Sequence, residues 1–153
     1  MDPPPFPIRI AVFGGSECTD HIYEQAREVG RLLAQRGVLV YCGGRTGVME
    51  AVSLGVRDGN GTVVGILPEE DCESANPFVT IPVATGAGSA RNAIIVNSVQ
   101  GAVAIDGQYG TLSEIGHALR AGKPVVGLDT WDIKGVRPAK TPEETVNTIL
   151  ELI

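Results

Sequence analysis

Basic charge is scarce in this chain. Its 153 residues carry 12 Lys and Arg against 18 Asp and Glu, a formal net charge of -6, and no segment gathers the basic residues into a stripe. A nucleic-acid partner is therefore not expected, because neutralising phosphates needs a concentrated basic face. Cysteine is scarce as well. Cys18, Cys42 and Cys72 are odd in number and lack C-x-x-C spacing, which argues against a disulfide framework or a zinc knuckle and fits reduced thiols in a cytoplasmic protein. His21 and His117 have no ligand-spaced partner, so no metal site is expected. No apolar run reaches the ~18 residues that suggest a membrane-spanning helix. The opening segment, residues 1–7, carries an acid and four prolines where a signal peptide carries basic and then apolar residues. It reads as a stiff, polyproline-like arm ahead of one α/β domain over residues 8–153, with no membrane role and a cytoplasmic location.

Two nucleotide motifs are missing too. No G-x-x-x-x-G-K-[ST] occurs, the first glycine loop is not G-x-G-x-x-G, and the second strand ends in Tyr41-Cys42 where a ribose-binding acid would stand. A P-loop nucleotidase and ordinary NAD binding are thereby disfavoured.

What is abundant is glycine, at 20 residues, while aromatics make up only 5%. A mixture rich in Gly, Val, Ile and Ala suits buried parallel strands joined by tight turns. From Ile8 onward, short β-branched runs alternate with helical periodicity, which predicts a Rossmann-like three-layer αβα sandwich with a mainly parallel sheet. Strands are expected over 8–13, 38–41, 62–67, 78–83, 102–105 and 124–128, the last of these closing the sheet. The first helix shows one apolar face of Ile22, Ala26, Val29 and Leu33, and others are expected over 46–58, from Ser89, and over 111–121. Residues 69–77 are polar and without period, and read as a loop crossing between the two halves of the fold. Thr141-Pro142-Glu143-Glu144 has the form of a capping box with Pro at the first helical position, so a final helix should dock through Val146, Ile149, Leu150 and Ile153.

In such sheets the ligand lies outside the carboxyl ends of the strands, where strand order reverses. Four strand ends carry glycine or small-residue turns: Gly14-Gly15-Ser16, Gly43-Gly44-Arg45-Thr46, Gly86-Ala87-Gly88-Ser89, and Gly107-Gln108-Tyr109-Gly110-Thr111. Glycine lets a backbone approach a phosphate, and the helix that follows offers unpaired N–H groups and the positive end of its dipole. These residues, with Arg91 and Asn92, are the candidate ligand-binding set, and the expected ligand is a phosphorylated, nucleotide-like small molecule. Arg91 falls in the first turn of a helix, where a cation opposes the dipole unless it meets an anion. Arg45 fits a phosphate contact and a solvated loop charge equally. Thr111 and Glu114 have capping-box spacing, so Glu114 can be a cap, a catalytic carboxylate, or both. Tyr109 fits either stacking on a ring or plain packing. Cys42, with no base placed beside it, reads as a buried structural thiol.

Ser89-Ala90-Arg91-Asn92, followed by Asp106-Gly107-Gln108-Tyr109-Gly110-Thr111-Leu112-Ser113-Glu114, resembles the paired signature of the Lonely Guy (LOG) superfamily, an arginine motif followed by P-G-G-x-G-T-x-x-E. Gly43-Gly44 with Gly47-Val48-Met49, and Val64 to Pro68, resemble its first half. The Ala-Arg-Asn form and the short length are most similar to the branch that includes molybdenum-cofactor carrier proteins. Arg91, Gly107, Gly110, Thr111 and Glu114 match the motif. Asp106 stands for its proline, Gln108 for its second glycine and Ser113 for a common first glutamate. The resemblance implies a homodimer or higher oligomer that needs no cofactor for chemistry and binds a nucleotide or a molybdenum cofactor. Its alternative implication is a nucleoside 5'-monophosphate phosphoribohydrolase, with Arg91 holding phosphate and Glu114 driving cleavage of the N-glycosidic bond. The lysine decarboxylase label often given to such proteins is rejected, since Lys123, Lys134 and Lys140 all lie outside the glycine loops.

Overall fold

Alternation along the strands sorts the side chains into two cores. In the first strand, β1 (Arg9–Gly14), Ile10 and Val12 face one way while Ala11 and Phe13 face the other, and all four are buried. The structure is a computed structural model that describes residue 2 and residues 6–153. Most of the expected proline arm, Met1 and Pro3 to Pro5, lies outside them.

After β1 the chain forms α1 (Asp20–Gln35), β2 (Leu39–Cys42), α2 (Val48–Asp58), β3 (Val63–Leu67) and β4 (Ile81–Ala84). A 3-10 turn (Gly88–Ala90) then leads into α3 (Arg91–Ser98), β5 (Gly101–Ile105), α4 (Tyr109–Arg120), β6 (Val125–Leu128), β7 (Val136–Ala139) and α5 (Pro142–Leu152). The seven strands form one parallel sheet in the order β4-β3-β2-β1-β5-β6-β7. With helices on both faces, the expected Rossmann-like α/β architecture is borne out. Helices α1, α2 and α5 cover the face of Ile10 and Val12, and α3 and α4 cover the face of Ala11 and Phe13. The stripe read from sequence on α1 is buried at all four positions. At α5, Thr141 Oγ1 accepts from the Glu144 N–H at 3.1 Å while the Glu144 carboxylate accepts from the Lys140 N–H at 2.9 Å. Val146 and Ile149 are buried there, whereas Ile153 is exposed.

The structure differs from the sequence expectation at four places. The sheet does not close at 124–128, because β7 adds an edge strand beside β6. Its sequence, Val-Arg-Pro-Ala, is short and half exposed and carries Pro138, which only an edge position tolerates, so it lacks the pattern of a buried strand. The loop 69–77 does not cross between halves, since β3 and β4 are neighbours; the crossing is made through α3, from the β4 edge to β5. Helix α2 starts at Val48 and not at Thr46, because Gly47 takes φ 65° and the Thr46 hydroxyl donates to the Ser16 carbonyl at 2.8 Å. Helix α4 starts at Tyr109, two residues before Thr111, with a consequence for Glu114 described below.

Candidate functional site

Strand order reverses between β1 and β5, the point at which doubly wound sheets open a crevice. A cleft of about 510 Å³ lies there. Gly14, Gly15 and Ser16 enter it from the end of β1, Arg45 from the end of β2, Arg91 and Asn92 from the start of α3, and Gly107, Gln108, Gly110, Thr111 and Glu114 from the end of β5 and α4. Four separate chain segments thus meet at one sheet edge. Gln108 occupies the cap position of α4 and makes no side-chain cap bond, and the first helical bond runs from Leu112 N–H to Gln108 C=O. The N–H groups of Tyr109, Gly110 and Thr111 come before that bond, so they lack intrahelical acceptors and carry the positive end of the helix dipole.

Arg91 is held by backbone. Its Nη1 donates to the carbonyls of Gly43 at 2.7 Å and Ile66 at 2.6 Å, and its Nε donates to Asn92 Oδ1 at 3.0 Å. A side chain at position 43 would occupy the same space, because a Cβ there would stand 2.8 Å from Nη1 and 2.5 Å from Met49 Sδ. A side chain at position 43 would therefore have to displace the Met49 thioether and the Arg91 guanidinium from these places. Burial lowers the Arg91 pKa and the nearby Glu114 raises it, but a guanidinium stays charged across the range in which proteins work.

Glu114 is 8% exposed and lines the cleft. Burial pushes its carboxyl up to about 8, and the Arg91 charge pulls it back only in part, so the group is protonated at neutral pH. The capping-box reading of Thr111 and Glu114 fails. Thr111 lies within α4 and not at its cap, so Glu114 comes one turn deeper and faces the arginine's cleft. The three ion pairs among the described residues, Arg27–Asp58, Arg31–Glu28 and Arg45–Glu69, involve neither Arg91 nor Glu114.

Other candidates lie farther out. Gly44, Thr46, Gly86, Gly88, Ser89 and Tyr109, like Gly43, do not line the cleft. Tyr109 is 78% exposed and stands beside Trp131. Arg45 lines the cleft and pairs with Glu69 at 2.5 Å. The loop 69–77 is fastened to this corner: Asn76, buried, donates through Nδ2 to the Arg45 carbonyl at 2.8 Å and through its backbone N–H to the Gly44 carbonyl at 2.9 Å. Cys42 is fully buried in the core, and burial raises its thiol pKa. Residues not in the expected set also line the cleft, namely Glu17, Met49 and Asp106. Each adjoins or belongs to a segment already singled out, and Asp106 takes φ 51°, a left-handed turn that Asp tolerates better than most residues. Among the described residues no group of three or more His, Cys, Asp and Glu could hold a metal ion, and no helix is long and apolar enough to cross a membrane.

The chain is similar to several known proteins. A protein of Archaeoglobus fulgidus is 43% identical over 141 residues, which cover 92% of this chain and 93% of that one. The cytokinin riboside 5'-monophosphate phosphoribohydrolase LOG of Oryza sativa is 34% identical over 113 residues, 70% of this chain and 46% of the enzyme, so the chain spans about half the length of that relative. Among solved structures, the molybdenum cofactor binding protein of Rippkaea orientalis matches with a TM-score of 0.91 and 33% identity, over 97% of this chain and 98% of that one. The molybdenum cofactor carrier protein of Chlamydomonas reinhardtii matches with a TM-score of 0.84 and 31% identity, over 96% and 98%. These likenesses bear out the LOG resemblance read from Arg91 and the Asp106–Glu114 segment. The SLOG cluster4 family model matches residues 7–151, and the chain belongs to that LOG-like family.

Proposed function

We propose that the cleft holds a nucleotide or a phosphorylated pterin cofactor of the molybdenum-cofactor type, and that the protein carries this ligand without converting it. The observation that supports the reading is the charge at Arg91. Its guanidinium is part-buried and held by neutral carbonyls and an amide, while the nearest carboxyl, Glu114, is protonated at neutral pH. Arg91 makes no ion pair among the described residues, and a part-buried cation of this kind is stabilised by an anion in contact with it. The unpaired N–H groups at the start of α4 offer that anion further donors. A volume of about 510 Å³ falls within the range of about 300–1,000 Å³ usual for small-molecule sites. The solved neighbours from Rippkaea orientalis and Chlamydomonas reinhardtii, matched over nearly their whole length, are a molybdenum cofactor binding protein and a molybdenum cofactor carrier protein, which favours cargo of that kind. The residues fit such a group through its phosphate, at Arg91 and α4, and through the amide groups of Asn92 and Gln108 for a pterin edge. The unit that carries it is a homodimer or higher oligomer, and a compact monomer in sedimentation would overturn that part.

A second reading rests on Glu114 itself. A carboxyl protonated at neutral pH can donate its proton to a departing base while water attacks the ribose carbon and the N-glycosidic bond breaks, with Arg91 holding the phosphate. Glycosidic chemistry generally employs two carboxylates, and Ser113 stands where the family's first glutamate is common, which favours carriage. Incubation with AMP, related nucleoside monophosphates and a pterin monophosphate decides the matter. Heat of binding without free base supports the carrier. Base release abolished in Glu114→Ala overturns it, and the absence of both heat and release overturns both readings.

A further inference from the structure

The ends of β5 and β6 are built alike. Asp106 and Asp129 each follow their strand directly and each take φ 51°. The two loops are then joined by side chains: Thr130 Oγ1 donates to the Asp106 carbonyl at 2.6 Å, and Trp131 Nε1 donates to the Gln108 carbonyl at 3.1 Å. Gln108 lines the cleft, so the second bond fixes the indole to the cleft wall. Tyr109, the next residue, places its ring 6.3 Å from that of Trp131 with the planes 31° apart. Burial does not account for this pair, since Tyr109 is 78% and Trp131 38% exposed. The chain has one Trp and three Tyr, so half of these rings stand side by side at the rim of the cleft. An aromatic ring anchored through its N–H, with a face left to solvent, is already ordered for a partner and loses little freedom on binding.

We propose that Tyr109 and Trp131 form a stacking platform for the planar heteroaromatic ring, a purine or a pterin, of a ligand whose phosphate lies in the cleft. This rests on the anion-binding reading given above. The residues on both sides of Tyr109, Gln108 and Gly110, line the cleft, so a ligand anchored by phosphate at Arg91 and the start of α4 has its remaining part within reach of the rim. Stacking accepts any π face, so the platform favours ligands with a ring over ringless phosphates.

Because Trp131 is the only tryptophan, its emission reports on the platform directly. Titrations with AMP, GMP, a pterin monophosphate and ribose 5-phosphate, followed by fluorescence and calorimetry, test the proposal. Ligands bearing a ring should bind at least about fivefold more tightly than ribose 5-phosphate and should quench Trp131. Tyr109→Ala and Trp131→Leu should each narrow that preference, Trp131→Leu leaving ribose 5-phosphate affinity as it was, whereas Trp131→Phe, which keeps a ring but loses the Nε1–H anchor, should retain part of the preference. The tighter of the purine and pterin arms names the ring. Equal affinity with and without a ring, unaltered by the variants, would overturn the platform and leave the anion site standing. No binding by any of the four ligands would overturn both together.

Discussion

Replacing Glu114 by Gln isolates the electrostatics on which the cleft depends. In the folded chain the carboxyl is 8% exposed and is pushed from an ordinary 4.5 to about 8, with burial outweighing the pull of Arg91. Between these two values the unfolded chain has released the proton and the folded chain has kept it, so folding becomes less favourable as pH rises. The slope is about 1.4 kcal/mol per pH unit. The full stabilisation is present below pH 4.5 and is lost as pH approaches 8, above which the effect levels off. Taken over the whole interval the loss is about 4–5 kcal/mol, and water entering the open cleft brings the expected range to about 2–5 kcal/mol. Gln keeps the shape and carries no proton to titrate. Urea unfolding of both proteins at pH 5, 6, 7, 8 and 9, in buffers without phosphate, gives a stability difference from which other titrations cancel. That difference should move steadily in favour of the Gln variant up to pH 8 and then stay constant. A difference that is flat over this interval would mean that Glu114 ionises as an ordinary carboxyl, and the account of an uncompensated Arg91 would fall with it.

The same proton governs the ligand. Ionisation of Glu114 above pH 8 places a negative charge beside the anion, so calorimetric affinity for AMP should fall several-fold between pH 7 and 9 in the parent protein and much less in Glu114→Gln. Gly43→Ala should displace the guanidinium, since the added Cβ meets both Arg91 and Met49; AMP affinity should drop by about tenfold or more with little change in circular dichroism. Gly55→Ala attacks the packing of α1 on α2, where a Cβ would stand 1.8 Å from the Arg27 carbonyl, and should cost about 1–3 kcal/mol in urea unfolding. Thr141→Ala removes the cap bond to Glu144 and should cost about 1 kcal/mol on the same measurement.

The amino-acid sequence by itself determined the alternation of strands and helices, the buried stripe of α1, the cap of α5 and the placing of Arg91 in a first helical turn, because each of these depends on residues close together along the chain. The motif around Glu114 was legible for the same reason. Its role was not, since a Thr and a Glu three apart look like a cap until the helix start is known, and that start moved to Tyr109. The edge strand β7 is not legible in the sequence because an exposed strand with a proline has no apolar pattern. Only tertiary structure decided that Gly43 makes room for Arg91, that Asn76 fastens the 69–77 loop, and that Trp131 reaches Gln108. These contacts join residues 48, 31 and 23 positions apart. The proton on Glu114 belongs to the same class, because it is set by how much of the fold closes around the carboxyl, which no local pattern encodes.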